Sequence, residues 1–461
     1  MRKYFLFFMI LSGLLGCRTK LKTVTPEVQL PETFSQSGRE VLPEKWWRVL
    51  DDSELNVVIE EALENNFTIR SAWDRLYQTE QMAVKIDVRI WPDIQYSGGA
   101  NRNRKDTNNM VTYSKSFMAG LTASYEVDLW GKIDASHRAL LLDIESRQED
   151  LAATAITLSA TIAKTWYQLA EAKQQADILT RQIETNEEVL EIISLKFQKG
   201  TVGAPDVLRQ RQLVESTRGQ LVQVNKAVTL RQHQLSVLLG RPPETRWANQ
   251  KFHLIELGDL PRVVVPSELI RRRPDVVSAY KAVQKADQQV TVAVAEQYPS
   301  ISLSASADTT STRIEDLFDD WAASLAGSLV GPLFDAGLRK AEADRTRGVL
   351  SEAIHNYTQT VLNALKEVED AISKEAFQWE YVRNIERQRK LARQSYESIR
   401  HKYISGQLDY LRVLDALISL QSLERSEVTA HRELIEHRID LCRSIAGSWN
   451  MKRPDLARLS E

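Results

Sequence analysis

The sequence predicts an α+β membrane protein, built by internal duplication, whose strands cannot close a barrel without further copies of the chain. Three observations predict it. Two segments read as pairs of β-strands with alternating apolar and small polar residues. Each pair is followed by a helix-period stretch far too long for a compact domain. The same order occurs twice: Trp91-Pro92 recurs as Tyr298-Pro299, Lys199-Gly200 as Ser405-Gly406, and Leu239-Gly240 as Ala446-Gly447. Two strands per repeat give four per chain, whereas the smallest membrane barrels use about eight.

The strand assignment rests on period two. Phe117, Ala119, Leu121, Ala123, Tyr125, Val127 and Leu129 alternate with Met118, Gly120, Thr122, Ser124, Glu126 and Asp128. Ile94, Tyr96, Gly98 and Ala100 alternate with Asp93, Gln95, Ser97 and Gly99 in the same way. In the second repeat, Ile301, Leu303, Ala305 and Ala307 alternate with Ser302, Ser304, Ser306 and Asp308, and Trp321, Ala323, Leu325, Gly327 and Leu329 share one face. Trp91, Trp130, Tyr298, Trp321 and Phe334 cluster at strand ends, where amphipathic rings favour a lipid–water boundary. A half-buried strand of a soluble sandwich alternates too, but these apolar faces are lean in large residues. The strand links, Asn101 to Asn109 and Asp308 to Asp320, are polar and are expected to be loops.

The helical body is read in order. Asp52 to about Arg89 forms one helical stretch with Leu55, Ile59, Leu63, Ile69 and Leu76. Asp134 to Lys199 lacks proline and would extend for on the order of 100 Å. A turn at Gly200 to Pro205 leads to a return helix with Leu221, Val224, Val228, Arg231, Leu235 and Leu238 at coiled-coil spacing, interrupted by that one arginine. Leu338 to about Lys402, a turn at Ser405-Gly406-Gln407, and Leu411, Leu414 and Ile418 repeat the pattern. The expected segments are 1–16, 17–50, 51–240 (strand pair 93–129), 241–266, 267–448 (strand pair 299–334) and 449–461. They read as a signal peptide, an anchor with extended leader, the first repeat, a Pro-rich linker, the second repeat and a tail.

Arg2-Lys3 and the apolar run Tyr4 to Leu15 make a secretory signal, too short to span as a mature helix. Leu14-Leu15-Gly16-Cys17 is similar to a bacterial lipobox, which marks Cys17 for acylation. Mature Cys442 then has no intrachain cysteine partner and is expected as a small buried hydrophobe. The 461 residues carry a formal net charge of −2, which gives no general pull toward nucleic acid. Arg271-Arg272-Arg273-Pro274-Asp275 reads as a helix start whose arginines pair with carboxylates. The seven histidines show no metal-ligand spacing, Met82, Met110 and Met118 form no soft-metal cluster, and no phosphate loop or nucleophile elbow occurs. No metal, cofactor or catalytic residue is expected.

Trp46-Trp47, Tyr125 to Gly131, Arg272 to Asp275, Tyr298-Pro299, Gly331 to Gly337 and Leu411 to Ala416 together resemble the outer-membrane efflux family, the TolC-like channels of the lipoprotein type. The resemblance implies a trimeric 12-stranded β-barrel, four strands per chain, continuous with a long α-helical periplasmic tunnel and a mixed equatorial domain. It implies a homotrimer in outer-membrane lipid working with a periplasmic adaptor and a proton-driven inner-membrane pump. It places a periplasmic gate at Leu411 and Asp415, with Asp206 as a second tip carboxylate. Arg209, Arg400, Tyr403 and Arg412 become candidates for tip pairing, and the turns at Gly200, Gly203 and Gly406 for adaptor contact. The alternative is a periplasmic coiled-coil scaffold lipoprotein without a pore.

Overall fold

The computed structural model describes residues 29–39, 41–87, 91–107, 110–243, 247, 251–451 and 453. The signal segment, Cys17 and most of the tail lie outside them. The chain forms two compact units: Thr79–Glu145 with Ala279–Thr358, and Leu30–Gln78 with Ser146–Ser278 and Gln359–Glu461.

The first unit holds one antiparallel sheet of four strands in sequence order: β1 (Asp93–Thr107), β2 (Met110–Val127), β3 (Ser300–Ser311) and β4 (Ala322–Val330). Its register aligns the apolar sets. Ile94 faces Ala123, which faces Ala305, which faces Leu325. Tyr96 faces Leu121, Leu121 faces Ala307, and Ala307 faces Ala323. Directly paired residues share a face, so the apolar members within the paired strands lie on one side of the sheet. The other side carries serine rungs, with Ser302 and Ser306 hydroxyls 2.6 and 2.9 Å from those of Ser328 and Ser324. Among the described residues nothing covers the apolar side: Tyr96 is 89 % and Leu325 83 % exposed. A soluble sandwich would bury these residues, so the uncovered face disfavours both that reading and the poreless scaffold.

One expectation is corrected. The stretch from Asn101 is strand, not loop, because β1 and β2 stay paired to Thr107 and Met110. Backbone ladder bonds sustain the hairpin there, with Thr112 Oγ1 also donating to Lys105 O, and polar side chains give no alternation to read. The second link is closer to expectation, with β3 ending at Ser311 and β4 starting at Ala322.

Among the described residues the α-helices are α1 (Ser53–Asn65), α2 (Phe67–Asp87), α3 (Lys132–Gln198), α4 (Ala204–Leu238), α5 (Pro266–Arg272), α6 (Pro274–Ala295), α7 (Leu338–Ile404) and α8 (Tyr410–Ile445). The two longest, α3 and α7, have 67 residues each. The strand-to-helix junctions explain two of the family-like motifs. Asp128 accepts from the backbone N–H groups of Ile133 and Asp134 and starts α3. Asp335 accepts from Gly337 and Arg339 and starts α7 in the same way. Trp130 donates to the Pro299 carbonyl at 2.7 Å and stacks on Tyr298, so one aromatic pair ties the two repeats together beside the strands.

The single helix expected from Asp52 is broken at Asn66, whose backbone is extended. Its side-chain oxygen accepts from Thr68 N–H and its amide donates to Leu238 O, so it caps α2 and the end of α4 together. A helix-compatible run concealed this bifunctional cap.

In the second unit, buried Asp52 gathers Leu55 N–H, the Trp166 indole and the Tyr167 hydroxyl, fixing α1 against α3. Leader and linker come together where Gly38 N–H donates to Pro261 O. Their core is Phe34, Val263 and Leu269 against Val368, Ile372, Leu441 and Ile445. Neither segment forms a regular strand among the described residues. Arg273 pairs with Asp275 and Glu367, as the helix-start reading required. Cys442 is fully buried.

Candidate functional site at the helix-hairpin turns

Helix pairs α3–α4 and α7–α8 each reverse at a glycine in the left-handed region, Gly200 (φ 70°) and Gly406 (φ 78°). Open space surrounds both, so backbone conformation rather than crowding demands glycine. Matching bonds close the helices. Gly200 N–H reaches Phe197 O and Thr201 N–H reaches Lys196 O; Gly406 N–H reaches Tyr403 O and Gln407 N–H reaches Lys402 O. Gly203 precedes α4, and Pro205 and Asp206 occupy its first turn, where a carboxylate suits the helix dipole.

Below these turns the two hairpins share a core of Ile193, Tyr410, Val413 and Leu414, flanked by Val189, Val207, Leu213 and Tyr403. The first turns of α8 are therefore two-sided. Val413, Leu414 and Leu417 are buried, whereas Leu411 (43 %) and Ile418 (42 %) are exposed, with Asp415 between them on the same face. The structure thus brings Leu411 and Asp415 together on an uncovered face. Asp206 lies at the start of α4 and is half-buried.

The candidate pairings take a different form within one chain. Arg209, Arg400 and Arg412 are exposed and make no ion pair with Asp206 or Asp415 among the described residues. Tyr403 is held instead by Lys196, whose Nζ lies 4.0 Å over its ring.

A buried polar layer, not anticipated from the sequence, lies beside this core. Tyr410 donates to Gln210 Oε1, and Gln210 donates to the Asn186 carbonyl. Asn186 donates to Thr217 Oγ1 at 3.1 Å and accepts from Gln421 Nε2 at 2.9 Å. Asn186 and Gln210 are completely buried. Burial, then the neighbouring Tyr403 and Asp206, pushes the Tyr410 hydroxyl well above the usual tyrosine range, so it remains a donor. The available signal was Gln210 and Thr217, which extend the α4 seam toward the turn in its 3-4 spacing.

Away from the turns, Glu386, Glu427 and His431 offer ligand atoms within 4.8 Å of one another. Histidine spacing could not reveal this group, because Glu386 sits on α7 and the others on α8. Arg389 already occupies Glu427 at 2.6 Å. No helix among the described residues is long and apolar enough to cross a membrane.

The family model "Outer membrane efflux protein" matches residues 58–241 and 265–447. The pyoverdine export outer membrane protein OpmQ of Pseudomonas aeruginosa is 26 % identical over 90 % of this chain and 89 % of its own length. Nodulation protein T of Rhizobium leguminosarum is 25 % identical over 93 % of both chains. Among solved structures, the outer-membrane channel OprN superposes with a TM-score of 0.84 at 25 % identity, covering 93 % of this chain and 100 % of that one. CusC reaches 0.85 at 22 % identity, covering 94 % and 100 %. The fold class read from the sequence, four strands per chain in a trimeric 12-stranded barrel with long helices, is that of these channels. With both halves matched in order, the chain belongs to the outer membrane efflux protein family.

Proposed function

We propose that the chain is the passive exit duct of a tripartite efflux or secretion system, gated at the ends of its helix hairpins. One observation carries this reading: the first turns of α8 bury Val413 and Leu414 but leave Leu411 and Asp415 uncovered on one face. Around a threefold axis, three copies of that face form a leucine ring and an aspartate ring. Three carboxylates converging on an axis repel one another and attract cations, so closure needs neighbouring charges or counterions. Asp206 adds a second carboxylate level. Arg209, Arg400 and Arg412, which form no ion pair with Asp206 or Asp415 among the described residues, are then available to neighbouring copies.

The turns at Gly200, Gly203 and Gly406 are the contact points for a periplasmic adaptor. A proton-driven inner-membrane pump supplies the energy, and the duct itself performs no catalysis and holds no cofactor. Cys17 carries the lipid anchor. Relatives named for pyoverdine export and for cation efflux match the chain at similar identity, which fits a duct whose cargo is selected upstream. Conductance of the purified protein in planar bilayers tests the reading. A small, cation-preferring conductance supports it. Absence of conductance from a folded, inserted trimer overturns it.

A further inference from the structure

The strand register exposes a feature that conduction does not use. On the apolar side of the first hairpin the rungs run Ile94–Ala123, Tyr96–Leu121, Gly98–Ala119 and Ala100–Phe117. The next rung on that same side is Arg102–Lys115, followed by Arg104–Tyr113. All four of these residues are exposed. The opposite side at this level is mostly neutral, with Asn101–Ser116 and Asn103–Ser114, and Lys105 follows at its end. The cations therefore continue the lipid-facing stripe rather than the lumen.

Two like charges directly across an antiparallel pair, with Cβ atoms about 5 Å apart, destabilise the hairpin unless an anion joins them. Among the described residues no carboxylate forms an ion pair with Arg102, Arg104 or Lys115. Asp106 is the nearest acidic residue along this face, beyond Arg104 and opposite Val111. Position supplies the missing partner. From Ile94 to Arg102 the strand climbs about 20 Å of membrane at a tilt near 40°, and Trp91 lies beyond the lower end, so the first cations fall where the apolar band of about 25 Å finishes. The hairpin end is the one remote in sequence from the helices, so it faces the cell exterior.

We propose that Arg102, Lys115 and Arg104 form a phosphate-binding ladder on the outer wall of the barrel, taking the phosphate headgroup of an outer-leaflet lipid. Guanidinium groups bind phosphate bidentately and the ammonium adds a point charge. Tyr113, on the adjacent rung, presents a ring at headgroup level. The occupied ladder relieves the like-charge rung and fixes the height of the barrel in its membrane.

Native mass spectrometry of the detergent-extracted trimer tests this with three probes: bisphosphorylated lipid A, its dephosphorylated form and inorganic phosphate. The wild type is expected to bind the bisphosphorylated lipid about tenfold more tightly than Arg102→Gln/Lys115→Gln, and the dephosphorylated lipid no better than that variant does. Adding Asn103→Arg and Ser114→Lys, which restores charge on the lumen side, is expected to leave binding weak. Equal affinity of wild type and variant, equal binding of the dephosphorylated lipid, rescue from the lumen side, or full competition by inorganic phosphate would each overturn the proposal. Conductance equal to wild type verifies folding of the variant. The single change Lys115→Gln, with an expected loss of about threefold, provides the same comparison if the double variant misfolds.

Discussion

The two helix hairpins share a backbone and differ in chemistry. α3 and α7 are equally long, and the glycines that turn them are 206 residues apart with nearly the same φ. Yet at that spacing Asp206 corresponds to Arg412, and Arg209 to Asp415, so the charges exchange places. The α4 start has no side-chain cap, whereas Asp409 caps α8 by accepting from Arg412 N–H. Tyr410 then turns inward, and Leu411 and Asp415 face outward. Duplication preserved what reverses the chain, and divergence gave the second hairpin its exposed Leu411–Asp415 face.

The largest expected difference lies further down the return helices. Arg438, which corresponds to Arg231 at the 207-residue offset of the helix ends, is buried against fully buried Glu375 at 2.7 Å. It also donates to the carbonyls of Gly258 and Asp259, holding the linker. Arg231 is only half-buried and bonds Gln234. Arg438→Ala is expected to destabilise the protein by about 3–5 kcal/mol because it strands a buried carboxylate, and Arg231→Ala by less than about 1 kcal/mol. Thermal unfolding of both variants checks this, and equal losses would erase the distinction between the hairpins.

The polar layer gives a smaller effect. Tyr410→Phe leaves Gln210 Oε1 without its donor and is expected to cost about 1–3 kcal/mol. Gln210→Leu with Tyr410→Phe removes both partners, so a double-mutant cycle should show strong coupling. Additive losses would show that the layer does not join the hairpins. At the helix starts, Asp409→Ala is expected to cost about 1 kcal/mol. Gly203→Ala, at the matching start of α4, has no side-chain cap to lose.

What could be read from the sequence follows from the range of the signal. Strand faces were legible because period two is local and each face repeats across the sheet. The long helices and their turns were legible because proline is absent and glycine marks each reversal. The extension of the first hairpin was hidden, since Asn101 to Thr107 pairs through its backbone and shows no apolar alternation. The break at Asn66 was hidden because its cap reaches Leu238, far along the chain. The polar layer joins Asn186 to Gln421 across 235 residues, and no spacing rule reveals such a partner. Leu411 and Asp415 follow from the resemblance alone; the structure adds that they share one exposed face.

The most direct test of a gate on the second hairpin compares two pairs of substitutions in planar-bilayer single-channel recordings. Leu411→Ala with Asp415→Ala removes the outward face of α8, and Leu208→Ala with Gln212→Ala removes exposed residues at the start of α4. The account predicts a several-fold rise in conductance, with weakened cation preference, for the first pair alone. Equal conductance in both variants, or no change from wild type in the first, would contradict it.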